Sequence, residues 1–139
     1  DRVLDVGTGS GILGIAALRL GAKSVVALDV DTVAVRVARE NFRANGYVRE
    51  VRLARGSLPH RLARQRTFNL ALANINAHII RELAPHLATA LRPKGVLITS
   101  GILEGQANDV RNTLEEHGLR VEQALQQDDW AALVAHKGC

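Results

Sequence analysis

Sulfur is nearly missing from this chain: of 139 residues one is cysteine, Cys139, and none is methionine. A lone cysteine closes no internal disulfide, which points to a reducing compartment. With no methionine, the sequence does not begin at a translation start, so it reads as a piece of a longer chain. Long apolar runs are also missing. None approaches the roughly 18 residues that a membrane-spanning helix needs, and no signal-peptide pattern precedes the first strand. Aromatic residues are scarce, with Phe42, Tyr47, Phe68 and Trp130 the full set.

What is present describes an ordinary globular domain. Hydrophobic residues make up 47% and charged residues 23%, with 18 Lys+Arg against 14 Asp+Glu and a mean hydropathy near zero. That balance excludes a disordered chain. A chain of this length suits one domain and buries about 70% of its unfolded surface without a disulfide or metal staple. The expectation is one soluble cytoplasmic domain over residues 1–139.

No repeat or linker interrupts the chain; strand followed by helix is what recurs. Val3, Leu4 and Val6 form a short apolar strand stopping at Gly7. Ile12–Leu20 reads as a helix closed by Gly21, and Ser24–Asp29 as a second buried strand. A helix follows over 32–45, capped by Asp31 or Thr32 and stopped by Gly46, with Val33, Ala34, Val37 and Ala38 as its inner stripe. Residues 50–55 alternate apolar and basic, the pattern of a half-exposed edge strand. Phe68–Ala73 and Val96–Ser100 are further strands. Pro85 breaks the segment between them into a helical turn near 77–83 and a new helix beginning at the proline. A helix over 105–117 carries Ala107, Val110 and Leu114 on one face; Leu119–Leu125 and Trp130–His136 then form a hairpin around Gln127–Asp129. Alternating strands and helices imply a doubly wound α/β domain. Its seven-stranded sheet is mostly parallel, has helices on both faces, and gains one antiparallel strand from the C-terminal hairpin. In such sheets ligands bind outside the carboxyl ends of the strands. Attention therefore falls on Gly7–Gly11, Asp29, Gly56–Ser57, Asn74–His78 and Ser100–Ile102.

Two glycine patterns overlap in the first of these. Gly9, Gly11 and Gly14 satisfy GxGxxG, the dinucleotide fingerprint; Gly7, Gly9 and Gly11 satisfy GxGxG, preceded by Asp5. Asp29 ends the second strand 18 residues after Gly11, placed to accept hydrogen bonds from ribose hydroxyls. An adenosine-type ligand follows from either pattern. Register separates them, because the glycine directly after the strand is Gly7, so the dinucleotide reading starts two residues late. A carboxylate at Asp5 also suits a methionyl sulfonium better than a pyrophosphate. S-adenosyl-L-methionine is therefore favoured over a nicotinamide cofactor.

DVGTGSG followed by ALDVD resembles the first two motifs of class I S-adenosylmethionine methyltransferases. The run FNLALANINAHIIRELAPHLATALRPKGVLITSGILEGQANDV resembles the catalytic domain of the PrmA-type ribosomal protein methyltransferases, and the likeness extends from Val3 to about Lys137. That resemblance implies a Rossmann-like methyltransferase domain methylating amino groups of the eleventh large-subunit ribosomal protein. It implies a cofactor site of Asp5, Gly7, Thr8, Gly9, Gly11 and Val30, with Asp29 at the ribose hydroxyls, Ser57 near the adenine amine, and Asn74 facing both methyl group and nucleophile. It also implies an N-terminal substrate-recognition domain ahead of this sequence. Departures from the usual family pattern are Thr8 for cysteine, Thr32 for proline, Asn69 for aspartate, and Asn76-Ala77-His78 for Leu-Ala-Gly.

Other chemistry is weakly supported. His60, His86, His117 and His136 show no metal-ligand spacing, so no metal site is expected. His78 reads either as a pocket residue or as a solvated helix-start residue, and Cys139 is a poor nucleophile at a terminus. Between Arg49 and Arg66 lie six arginines and one acid, Glu50. This strip is either a guarded edge strand or a contact for RNA. The strip keeps an RNA methyltransferase open as an alternative, and the missing front segment with the altered Asn76-Ala77-His78 loop keeps open a non-catalytic cofactor-binding remnant. Against the first, no aromatic lies near Asn74 in sequence to stack a flipped base.

Overall fold

A computed structural model describes residues 1–138; Cys139 lies outside the described residues. The elements in chain order are β1 (Arg2–Val6), α1 (Ile12–Arg19), β2 (Ser24–Asp29), α2 (Thr32–Ala44), β3 (Val51–Arg55), β4 (Phe68–Asn74), α3 (Ala77–Ala90) and β5 (Leu91–Leu103). A 3-10 turn (Glu104–Gln106), α4 (Ala107–Glu116), β6 (Leu119–Gln127) and β7 (Trp130–Lys137) complete the chain. The seven strands form one sheet in the order β3-β2-β1-β4-β5-β7-β6. Strands β1 to β5 pair in parallel, and β7 runs antiparallel between β5 and β6. The doubly wound, mostly parallel α/β sheet expected from the sequence is present, with β3 at one edge.

Side-chain alternation along the strands divides the interior into two layers. Leu4, Val6, Val26, Leu28, Ala71, Ala73 and Leu97 face α3 and α4. Val3, Val25, Ala27 and Leu72 face α1 and α2, where Phe42 is the largest buried side chain. The inner stripe of α2 is Val35, Ala38 and Phe42, not the valines at 33 and 37; Val33 is exposed. Phe42 sets the rotation of this helix because burying its ring removes the most apolar surface. Both α1 and α2 end as the glycines suggested. The Gly21 and Ala22 amides donate to the Leu18 and Ala17 carbonyls, and the Gly46 and Tyr47 amides donate to the Arg43 and Phe42 carbonyls. This is the six-to-one, five-to-two closure of a helix end.

Pro85 does not break its segment. One continuous helix runs from Ala77 to Ala90 with the proline inside it. Ala77, Ile80, Leu83, Ala84, Leu87 and Ala88 are buried along a single stripe that crosses Pro85. An interior proline costs about 3 kcal/mol. Burying each of Ile80, Leu83 and Leu87 returns roughly 1.5–3 kcal/mol, so packing outweighs propensity. The carbonyl that loses its donor belongs to Arg81, on the exposed side of the helix. β5 also starts earlier than expected, directly from the end of α3: Leu91 pairs with Phe68, residues 92–95 bulge out, and pairing resumes between Val96 and Leu70.

Candidate functional site

The chain winds from β1 outward to β2 and β3, then returns across the sheet to β4. Between β1 and β4 the winding direction reverses, and loops leaving their carboxyl ends diverge to opposite faces. That divergence opens a crevice. A cavity of about 650 Å³ occupies it, and Gly7, Asp29, Val30, Ser57 and Asn74 all line it. These five residues come from four separate stretches of sequence. Gly7 has φ near +74°, and a Cβ there would collide with the Ile75 side chain. Only glycine lets the β1 and β4 loops approach this closely.

Asp5, Thr8, Gly9 and Gly11 do not line the cavity; they build the loop beside it. Asp5 is 1% exposed, and the Thr8 hydroxyl donates to its Oδ2 at 2.7 Å. Among the described residues its Oδ1 is buried without a hydrogen-bond partner. Burial pushes the Asp5 carboxyl up to about 6, against the opposing effect of the Thr8 hydrogen bond. Thr8 thus supplies a hydroxyl that anchors the turn from below. From the side, Asp29 Oδ2 accepts the Gly9 amide at 2.9 Å while Oδ1 accepts the Asp31 amide at 3.0 Å. A carboxylate has about four acceptor directions, so Asp29 can brace the loop and still accept from a ligand's hydroxyls. Nothing lies within 4 Å of where a Gly9 Cβ would stand. Gly11 and Gly14 instead pack against the Phe42 ring.

Asn74 ends β4, is exposed, and pairs in register with Ser100. Its side-chain amide makes no hydrogen bond among the described residues. Gly101, with φ near +78°, passes so close that a Cβ there would lie 2.9 Å from Asn74 Oδ1 and 3.2 Å from the Ile75 carbonyl. The Ser100–Leu103 segment therefore shapes the space around Asn74. The NINAH stretch has a structural explanation as well. Asn76 caps α3, its Oδ1 accepting the Ile79 amide at 2.9 Å, while Ala77 is buried. His78 does not line the cavity; its side chain is 78% exposed and lies 2.9 Å from Glu82.

Sequence reasoning missed Leu58, Ile79, Glu82 and Leu83, which complete the cavity wall. Ile79 and Leu83 stand one helical turn apart, a signal that was available once α3 is read as unbroken. The wall holds no aromatic residue. Its floor of glycine backbone, one carboxylate with spare acceptor capacity and an exposed valine (Val30) fit an adenosine with a polar tail.

Comparison with known proteins places the chain in a family. A family model described as "Ribosomal protein L11 methyltransferase (PrmA)" matches residues 1–138. A ribosomal protein L11 methyltransferase of Heliobacterium modesticaldum is 44% identical over 136 residues, covering 98% of this chain and 42% of that relative. One of Pelotomaculum thermopropionicum is 46% identical over 133 residues, covering 96% and 42%. The chain thus spans less than half the length of the curated relatives it matches. Among solved structures, a ribosomal protein L11 methylase from Lactobacillus delbrueckii subsp. bulgaricus superposes with a TM-score of 0.92 at 36% identity, covering 99% of this chain and 70% of that one. A methyltransferase structure from Thermoplasma acidophilum, at 16% identity and a TM-score of 0.85, shares the fold.

Proposed function

The chain belongs to the ribosomal protein L11 methyltransferase (PrmA) family, and from that premise we propose that it is the S-adenosyl-L-methionine-binding, catalytic part of an enzyme that N-methylates amino groups of large-subunit ribosomal protein eleven. The methyl acceptor would be a lysine side chain, an α-amine, or both. The additional length of the relatives is the natural place for a substrate-recognition domain, and a cytoplasmic setting goes with such a substrate.

The observation that carries the reading is Asn74: an exposed amide with no hydrogen bond among the described residues, in the wall of a crevice whose floor suits an adenosine. S-adenosyl-L-methionine, when bound, supplies an activated methyl group on sulfur. The protein's part is to hold, orient and exclude water. Gly7 lets the backbone come close, Asp29 accepts from ribose hydroxyls, Val30 covers an apolar ring face, and Ser57 offers a hydroxyl toward the adenine edge. Asp5, through Thr8, keeps the loop in shape and places negative charge beneath a cationic ligand. An amine nucleophile must be neutral. At pH 7 well under one in about a thousand lysines is neutral, against roughly a tenth of α-amines. The Asn74 carbonyl can accept one amine hydrogen and leave the lone pair directed into the crevice, and it is desolvation on entering the crevice that favours the neutral form. No side chain is required as a general base.

Methylation of an RNA base is the weaker reading, since no aromatic lines the crevice and the arginine-rich stretch gathers at the other end of the sheet. Calorimetric titration with S-adenosylhomocysteine, with NAD as control, tests the cofactor: binding of the first and silence from the second is expected. Asn74→Ala should keep that binding and lose methyl transfer to the ribosomal protein. Cofactor binding with no transfer by the parent protein, supplied with its recognition domain, would instead identify a non-catalytic remnant.

A further inference from the structure

The amino ends of β1 to β4 carry a second concavity, at the opposite end of the parallel strands from the crevice. It has a volume of about 410 Å³ and is ringed by Arg2, Lys23, Arg49, Arg52, Arg61 and Arg64, with Glu50 the one carboxylate in its wall. The sequence placed only four of these cations in one strip; the fold adds Arg2 from β1 and Lys23 from before β2. All six are exposed. Among the described residues none of their side chains forms an ion pair or a hydrogen bond, so their charge is unspent. A neighbouring depression of about 550 Å³ shares Arg61 and Arg64, which extends the cationic surface past a single pocket.

We propose that this surface binds the phosphodiester backbone of RNA. Five of the six cations are arginines, whose planar fork suits phosphate oxygens. A track two depressions long matches a polymer that carries a charge at every unit better than it matches a small anion. The aromatic ring in the wall, Phe68, is 2% exposed and cannot stack a base, so contact is to backbone and independent of sequence. The strands set this surface apart from Asn74 by their full length, about 17–20 Å for strands of this size. The RNA is therefore a bound neighbour and not the methyl acceptor. Binding here would hold the enzyme near RNA-rich particles while the crevice works on protein.

The test uses fluorescence anisotropy with a short single-stranded RNA of mixed sequence, over a salt series. The 139-residue chain should bind at low salt. Replacing Arg49, Arg52, Arg61 and Arg64 together by glutamine should weaken binding at least about tenfold and flatten the log–log salt slope by about 3, at roughly 0.7 per phosphate contact. The matched control removes Arg36, Arg43, Arg111 and Arg120, exposed cations elsewhere, and should leave most of the slope. Both variants are checked for S-adenosylhomocysteine binding, which confirms that they fold. Equal losses in the two variants would reduce the effect to net charge and overturn the proposal, as would no RNA binding by the parent chain. Displacement of RNA by polyglutamate at equal charge would assign the surface to an acidic protein and overturn it too.

Discussion

Asp5 carries a pH dependence that can be worked out from its burial. Its carboxyl is 1% exposed, one oxygen has no partner, and desolvation lifts its pKa from 3.8 to about 6. Because the folded value is the higher one, the folded protein holds a proton through this window that the unfolded chain has released. Stability therefore falls as pH rises from about 4 to 6, is highest where the carboxyl is neutral in both states, and reaches its full deficit above the folded value. Just over two pKa units at about 1.4 kcal/mol each amount to about 3 kcal/mol. Asp5→Asn removes the titration and still accepts from Thr8, but it places an amide where the unpaired oxygen stood. An unpaired buried donor costs about 1–3 kcal/mol, so at neutral pH the two effects nearly cancel and the offset says little. The slope is diagnostic. Urea unfolding followed by far-ultraviolet circular dichroism, in steps from about pH 3 to 8, should show the parent protein losing about 3 kcal/mol relative to Asp5→Asn. Titrating groups that do not interact with Asp5 cancel in that difference. A difference that stays flat across the range would refute the reasoning and mean that the Asp5 carboxylate is not desolvated in solution.

Two further substitutions probe the crevice and the helix beside it. Gly101→Ala forces a Cβ to within 2.9 Å of Asn74 Oδ1 in a left-handed backbone conformation, a backbone penalty of about 1–2 kcal/mol. S-adenosylhomocysteine affinity should change little while methyl transfer drops at least about tenfold, or about 1.4 kcal/mol in the barrier; unchanged turnover would show that Asn74 tolerates displacement. Pro85→Ala restores the donor that α3 lacks and should raise stability by about 1–3 kcal/mol in urea melts, the upper figure being the full propensity difference. A loss of stability would mean that the proline's restriction of the unfolded chain outweighs its damage to the helix.

Local chemistry was legible in the residues. Gly21 and Gly46 close helices whose last carbonyls need partners, Asp31 caps α2 by accepting the Val33 amide, and the glycines after β1 mark a turn that only small residues allow. Asp29 and Asn74 could be placed at the crevice because each ends an apolar strand with a polar side chain. Such signals depend on neighbours a few residues away, where sequence spacing and spatial spacing coincide. Propensity misled where it had to compete with the core: Pro85 reads as a break, yet the stripe from Ala77 to Ala88 holds the helix together. Phe42 likewise rotated α2 away from Val33 and Val37, leaving Val35 inside. The placement of β7 between β5 and β6, the approach of Gly101 to Asn74, the completion of the crevice by Ile79 and Leu83, and the meeting of Arg2 and Lys23 with the arginines of 49–64 were decided by tertiary structure alone. Each joins segments tens of residues apart. Their proximity comes from which sheet edges and faces bury the most apolar surface together, a quantity that no single stretch of the chain contains.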